Sequence, residues 1–262
     1  NYSVFISTNR TAFVKRLIDL PLMRLQLAKM LVTAEQGRSM VFHTARVLEA
    51  ADRGEAGMAK VLRIMTPLVK FRTCRDARKV AGDGMEVRGG CGYIEEWSDA
   101  RVLRDAHLGS IWEGTSNIVA LDVARAVRRE DALTALESYM ARLNGETEAV
   151  LGPQPAVTEA FKRAAGLLDA VANDPAREIE TRQAASAVYN ATSAAVMVWE
   201  SAQQTALTNE RATDRLTLAH GVLRHKLSQR DPLAAVQAGE DDDLLSLVHA
   251  TMADAAIAEA AE

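Results

Sequence analysis

The sequence holds 262 residues, 48% hydrophobic and 25% charged, with a formal net charge of −4. That balance allows a buried core and excludes a disordered chain. Aromatics make up only 5%, with 15 glycines and 6 prolines, which excludes a turn-rich β-sandwich or barrel and favours helices. No run of 18 apolar residues occurs, so no membrane span is predicted, and no signal peptide is visible at the start. Cys74 and Cys91 are too few for a disulfide framework and fit no metal-ligand spacing. No metal is expected, and a reducing compartment is the default.

The charge is unevenly spread. Residues 1–130 carry 21 basic and 15 acidic side chains, a net of +6, while residues 131–262 carry 10 and 20, a net of −10. Ten of the 15 glycines fall in the first half. This shift places a domain boundary near residue 131, between a 1–130 domain and an acidic helical extension, 131–262.

In chain order, Tyr2 to Asn9 has apolar residues without an evident partner, and the first helix is predicted to start at Asp19-Leu20-Pro21. Met23, Leu27, Met30, Leu31, Ala34, Val41, Ala45 and Leu48 then recur at helical spacing to about Ala50. Asp52-Arg53-Gly54 makes a turn, and a second helix runs from about Glu55 to Val87, with Pro67 expected to kink it. Arg88-Gly89-Gly90-Cys91-Gly92-Tyr93 reads as a non-helical glycine loop. A short helix follows Ser98, a break covers His107 to Gly114, and Thr115-Ser116-Asn117 caps a third helix to about Arg129. The second half predicts helices over 131–144, 156–172, 176–206, 211–228 and 242–260. Met23, Leu27 and Met30 on the first helix, and Met58, Met65 and Phe71 on the second, exceed what a short bundle covers, which predicts at least a dimer.

Three stretches carry chemistry. In Ser110-Ile111-Trp112-Glu113-Gly114-Thr115, a carboxylate follows an indole and precedes a helix start. It is either a loop glutamate favoured by the helix dipole or a general base that Trp112 desolvates. Arg88 to Tyr93 is either a tight interhelical turn or a glycine loop offering its backbone to a phosphate. Arg10, near Phe13, is either solvated or a pyrophosphate clamp. His43, His107, His220 and His225 read as structural polar groups rather than ligands.

Taken together and in order, these stretches resemble the C-terminal helical domain of the acyl-CoA dehydrogenase flavoenzymes. That family's pattern runs Arg-x-x-Phe-Gly-Lys, two long helices, Gly-Gly-x-Gly-Tyr/Phe, Arg-x-x-Arg-Asp-Ala, then Tyr/Trp-Glu-Gly-Thr. The sequence supplies Arg10-Thr11-Ala12-Phe13-Val14-Lys15, Gly89-Gly90-Cys91-Gly92-Tyr93, Arg101-Val102-Leu103-Arg104-Asp105-Ala106 and Trp112-Glu113-Gly114-Thr115. Val14 stands where the family has glycine, and Glu86 where glutamine is common. Pro21 to Arg24, Met85 to Val87, Trp112 and Leu121 to Val123 look most similar to the branch holding the alkylation-response flavoproteins, which also carry a helical C-terminal extension.

The resemblance implies an all-α fold, a helical bundle of that type followed by a second all-helical extension. It implies Glu113 as the base that removes the α-proton of an acyl-CoA thioester, with Trp112 and Gly114 in the substrate pocket. Thr115, Ser116 and Asn117 would touch FAD of the same subunit. Arg10, Phe13, Glu86, Val87, Gly89 and Gly90 would reach the FAD of a neighbouring one. A homo-oligomer (dimer or tetramer) and an electron-transfer flavoprotein or similar acceptor follow as partners. The expected location is the cytoplasm in a bacterium or an organelle matrix in a eukaryote. The family's N-terminal helical domain and middle β-domain have no counterpart here, so the chain is expected to be the C-terminal part of such an enzyme, inactive by itself. The alternative is an alkylation-response type with vestigial dehydrogenation and a DNA-associated role. A net of −10 over 131–262 argues against nucleic-acid contact through that region.

Overall fold

The computed structural model describes residues 2–208, 210, 212–229, 231–235, 239 and 241–248. They are helical almost throughout. In order, the elements are α1 (Tyr2–Asn9), β1 (Thr11–Ala12), β2 (Lys15–Arg16), a 3₁₀ turn (Leu17–Asp19), α2 (Pro21–Asp52), α3 (Met58–Arg88), α4 (Gly90–Tyr93), α5 (Asp99–Leu108), α6 (Ser116–Glu130), α7 (Ala132–Leu151) and α8 (Pro155–Asn173). A second 3₁₀ segment (Pro175–Glu180), α9 (Thr181–Thr208), α10 (Thr213–Val222) and a π-helical turn (Leu223–Leu227) follow. Residues 242–248 are helical, and the rest of the helix predicted over 242–260 lies outside the described residues. No described helix is long and apolar enough to cross a membrane.

The chain forms two compact units, residues 1–34, 76–109 and 230–262 in one, residues 35–75 and 110–229 in the other. The second unit contains residues from both sides of position 131, so packing continues through the point where charge and composition change.

In the first unit, Tyr2–Asn9 is a helix rather than a stretch without partners. Its Ser7 is buried and donates to the Val4 carbonyl at 2.8 Å, and the Arg88 guanidinium lies 5.3 Å from the Tyr2 ring and 4.2 Å from that of Trp97. The strands form a two-residue hairpin, Thr11 opposite Arg16 and Ala12 opposite Lys15. Phe13 (φ 51°) and Val14 (φ 65°) are its turn residues. Positive φ at both central positions is the type I′ requirement, normally met by Asn and Gly. The sequence expectation of an unbroken non-helical loop at 88–93 needs correction: Gly89 alone turns the chain, at φ 72°, and residues 90–93 resume one helical turn. Gly92 is needed for close approach, because a Cβ there would lie 2.5 Å from the Met85 carbonyl.

In the second unit, α2 and α3 meet through the turn at 53–57. Their buried residues Met40, Val47, Met58, Val61, Ile64, Met65, Leu68 and Phe71 share one core with Val119 and Val123 of α6 and with α7, α8 and α9. Pro67 does not end α3; it removes one donor from the ladder and leaves the Arg63 carbonyl without its helical partner. α7 runs seven residues past the predicted end at 144, because Gly145 is tolerated and Gly152-Pro153 is the stop. α9 is buried on nearly every side, with Ala184, Ala185, Val188, Tyr189, Ala191, Val196 and Met197 all inaccessible. Its small side chains let α7, α8 and α10 pack closely around it. Of the apolar residues expected to need a partner, Leu27, Met30, Met58, Met65 and Phe71 are core residues and Met23 is half-buried. The exposed apolar residues of α2 are instead Leu22, Val41, Phe42 and Leu48.

Several polar groups in this core are paired with one another. Gln36, fully buried, donates through Nε2 to Asn190 Oδ1 (3.0 Å) and Ser193 Oγ (2.6 Å), and its Oε1 accepts from Lys226 Nζ (2.6 Å). Ser39 donates to Glu200 Oε2 at 2.7 Å, and Arg215 pairs with Glu35 at 2.7 Å and Glu200 at 3.5 Å. His43 is hydrogen-bonded to the Tyr139 hydroxyl at 2.8 Å and meets Trp199 edge-on. Burial, with Arg46 and Arg142 nearby, lowers its pKa to about 4.

Two outcomes follow. As pH falls through 6.5, the unfolded imidazole takes up a proton that folded His43 refuses until about pH 4. Stability should therefore drop by about 2 kcal/mol between pH 7.5 and 5 from this group. Half-buried Glu200, whose pKa is raised chiefly by desolvation, acts in the opposite direction, so the measurement is the difference between wild type and His43→Gln in urea unfolding at both pH values. An equal pH slope in both proteins contradicts the assignment. Separately, Val14→Gly should stabilise the chain by about 0.5–1 kcal/mol, because relief of left-handed strain outweighs the entropy glycine adds to the unfolded state. A lower denaturant midpoint for Val14→Gly contradicts it.

Candidate functional site

The residues singled out in the sequence fall into two groups, one in each unit. In the second unit, the segment after α5 runs through Gly109 to Gly114 and ends at Thr115, the N-cap of α6. Glu113 (φ 53°) and Gly114 (φ 106°) are both left-handed. The strain falls on Glu113, since a non-glycine residue rarely adopts this region. The turn places Glu113 in the wall of a cavity of about 560 Å³, whose lining also includes Leu62, Arg63, Pro67, Lys70 and Ile118. Glu113 is exposed and Trp112 is 57% exposed, so within this chain the indole does not desolvate the carboxylate as the sequence suggested.

The cavity wall is electrostatically organised. Arg63 makes a bidentate pair with Asp122 (2.8 and 3.0 Å) and bonds both oxygens of Glu130 at 3.0 Å. Its pKa is raised chiefly by the bond to Asp122. Lys70 Nζ donates to the Trp112 carbonyl at 3.2 Å and lies 6.0 Å from the centre of the Trp112 ring. Neither Arg63 nor Lys70 was picked out in the sequence. Lys70 lies 42 residues before Trp112 and Arg63 further still, and nothing local marks them among the chain's other basic residues. The Thr115 side chain makes no capping bond to α6, so the first backbone N–H groups of that helix have no side-chain acceptor. Ser116 is half-buried, and Asn117 Oδ1 accepts from Arg182 at 3.4 Å.

In the first unit, Arg10 follows α1 and its Nη1 donates to the Arg88 carbonyl at 2.7 Å. The guanidinium occupies the space beside Gly89, where a Cβ would lie 2.8 Å from Nη1. Gly89 thus provides both the turn and the seat for Arg10. Phe13 stands at the hairpin tip, 87% exposed. Glu86 is exposed and accepts from Gln26 Nε2 at 3.1 Å. Gly90 is open on its Cβ side. The Val87 side chain is buried, leaving only its backbone for contact outside the fold. Among the described residues, no group of three or more His, Cys, Asp or Glu could hold a metal ion.

Residues 3–128 match the profile of the family described as acyl-CoA dehydrogenase, C-terminal domain. The chain is 34% identical over 183 residues to acyl-CoA dehydrogenase family member 11 of Caenorhabditis elegans, covering 67% of this chain and 30% of that protein. It is 35% identical over 128 residues to the putative acyl-CoA dehydrogenase AidB of Escherichia coli, covering 49% and 23%. The crystal structure of C. elegans ACDH-11 in complex with C11-CoA superposes with a TM-score of 0.74 at 25% identity, covering 90% of this chain and 40% of that one. Coverage that large extends past residue 128, so the later helices share the likeness. The chain thus spans well under half the length of these relatives. Over residues 3–128, it belongs to the acyl-CoA dehydrogenase family as its C-terminal helical domain.

Proposed function

We propose that this chain supplies the base-bearing and flavin-facing helical part of an FAD-dependent acyl-CoA dehydrogenase. The observation that carries the reading is Glu113, held left-handed at the wall of a cavity, one residue before a glycine and two before Thr115, the N-cap of α6, whose side chain makes no capping bond. ACDH-11 of C. elegans, whose likeness covers 90% of this chain, was crystallised with C11-CoA, and this supports an acyl-CoA substrate.

Each group offers an anion contact of its own: the uncapped start of α6 suits a phosphate of the subunit's own flavin, and the Arg10 fork, already seated on the 88–89 backbone, suits a phosphate of a neighbouring subunit's flavin. When bound, the flavin supplies the acceptor for the β-hydride. Glu113 receives the α-proton on its carboxylate, and the Trp112 ring and the apolar cavity side chains exclude water from that transfer once an acyl chain lies against them. Burial of Glu113 then arises on binding, which accounts for its exposure in the chain by itself. The alkylation-response alternative gains nothing from the acidic extension.

A homo-oligomer is part of this reading. Val41, Phe42 and Leu48 form an exposed apolar stripe on α2, and the resemblance implies a flavin site shared between subunits.

At the protein's full natural length, Glu113→Gln should retain FAD and slow acyl-CoA-dependent flavin reduction by roughly 10² or more. Bleaching at near wild-type rate removes the assignment of the base. Light scattering at micromolar concentration should give at least a dimer, burying on the order of 2,000 Å², and Phe42→Asp should shift it toward one chain. A clean single-chain mass for the unsubstituted protein contradicts this.

A further inference from the structure

We infer that Lys70 is the positioning residue of the Glu113 turn: its ammonium group, donated by α3, pins the Trp112 carbonyl and so fixes the left-handed backbone that places Glu113 in the cavity wall. The inference rests on reading Glu113 as the base, and it adds a residue that the sequence motif does not contain.

The geometry is specific. Glu113 is a non-glycine residue at φ 53°, a conformation that persists only where neighbouring groups over-determine it. The peptide joining Trp112 to Glu113 is the one whose carbonyl Lys70 Nζ binds, at 3.2 Å. A bond at that carbonyl opposes rotation of the peptide plane that sets the Glu113 φ. The same ammonium lies 6.0 Å from the centre of the Trp112 ring, near the limit of a cation–π contact, so one group holds both the backbone and the side chain of residue 112. Lys70 and Glu113 line the same cavity. α3 gives Lys70 a rigid base, since Leu68 and Phe71 beside it are core residues. Lys70 is half-buried, so replacing it disturbs little packing.

Two variants test this. In the 262-residue chain, Lys70→Met should raise amide hydrogen exchange across Glu113 to Thr115 by about tenfold or more without changing the thermal midpoint, and Lys70→Arg should restore most of the protection. At the protein's full natural length, Lys70→Met should lower the rate constant of acyl-CoA-dependent flavin reduction by about 10- to 100-fold with FAD content and KM little changed, again recovered in Lys70→Arg. If exchange and reduction in Lys70→Met both stay within twofold of wild type while Glu113→Gln abolishes reduction, the positioning role is overturned and the base assignment stands. If Glu113→Gln itself reduces flavin normally, the base assignment fails, and with it the role given to Lys70.

Discussion

A single buried amide constrains the larger unit. Gln36 sits on α2 with no exposure, and each end of its side chain is answered, by Asn190 and Ser193 of α9 and by Lys226 of the π-helical turn. An unanswered buried amide costs far more than a made hydrogen bond returns, so only one rotation and depth of α2 against α9 satisfies all three partners. Met40 and Val47, further along α2, then meet the α3 residues Met58, Met65 and Leu68 in one core. α3 in turn carries Arg63 and Lys70 to the cavity wall. The placement of the candidate base depends on this chain of packing, which begins in helices that lie beyond the family motifs.

Much of this was legible in the sequence, for identifiable reasons. α2, α3, α6 and α8 announce themselves by apolar spacing and by Pro or Gly at their ends. The Trp112 to Thr115 turn announces itself through Gly114 and the helix start behind it. What was not legible depends on distant partners. Leu27, Met65 and Phe71 looked surplus because the helices that cover such residues cannot be assigned by periodicity. Tyr2 to Asn9 looked unpartnered because its contacts lie with Arg88 and with residues near Gly84, about 80 positions away. Lys70 is invisible for the same reason: its meaning is a carbonyl 42 residues on. Within the glycine run at 89–92, Gly89 meets a backbone demand and Gly92 a steric one, while Gly90 meets neither.

Strain marks both groups of candidate residues. Among the described residues, Phe13, Val14 and Glu113 are three of the four non-glycine residues with positive φ. At the hairpin, a family glycine would relieve the strain, and Val14 retains it at a fully exposed position where no packing compensates. At Glu113 no glycine substitution is compatible with a carboxylate, so the conformation has to be held from outside, by Gly114 on one side and by the Lys70 bond on the other. The two sites therefore differ in kind. One strain is tolerated, and the other is supported.

Glu86 raises the sharpest electrostatic question, since a carboxylate near an anionic cofactor would repel it. Its setting reduces the conflict. One oxygen is occupied by Gln26 Nε2, and the residue lies at the end of α3 within two positions of Arg88, with Arg10 docked on the Arg88 carbonyl. A negative group among cations weakens the field for a pyrophosphate without reversing it, and at about 8 Å of screening only the nearest charges count. The acidic surplus belongs wholly to residues 131–262. On the proposed reading that division leaves the candidate anion contacts in the basic half, while α9 and the π-helical turn of the acidic half hold Gln36 of α2.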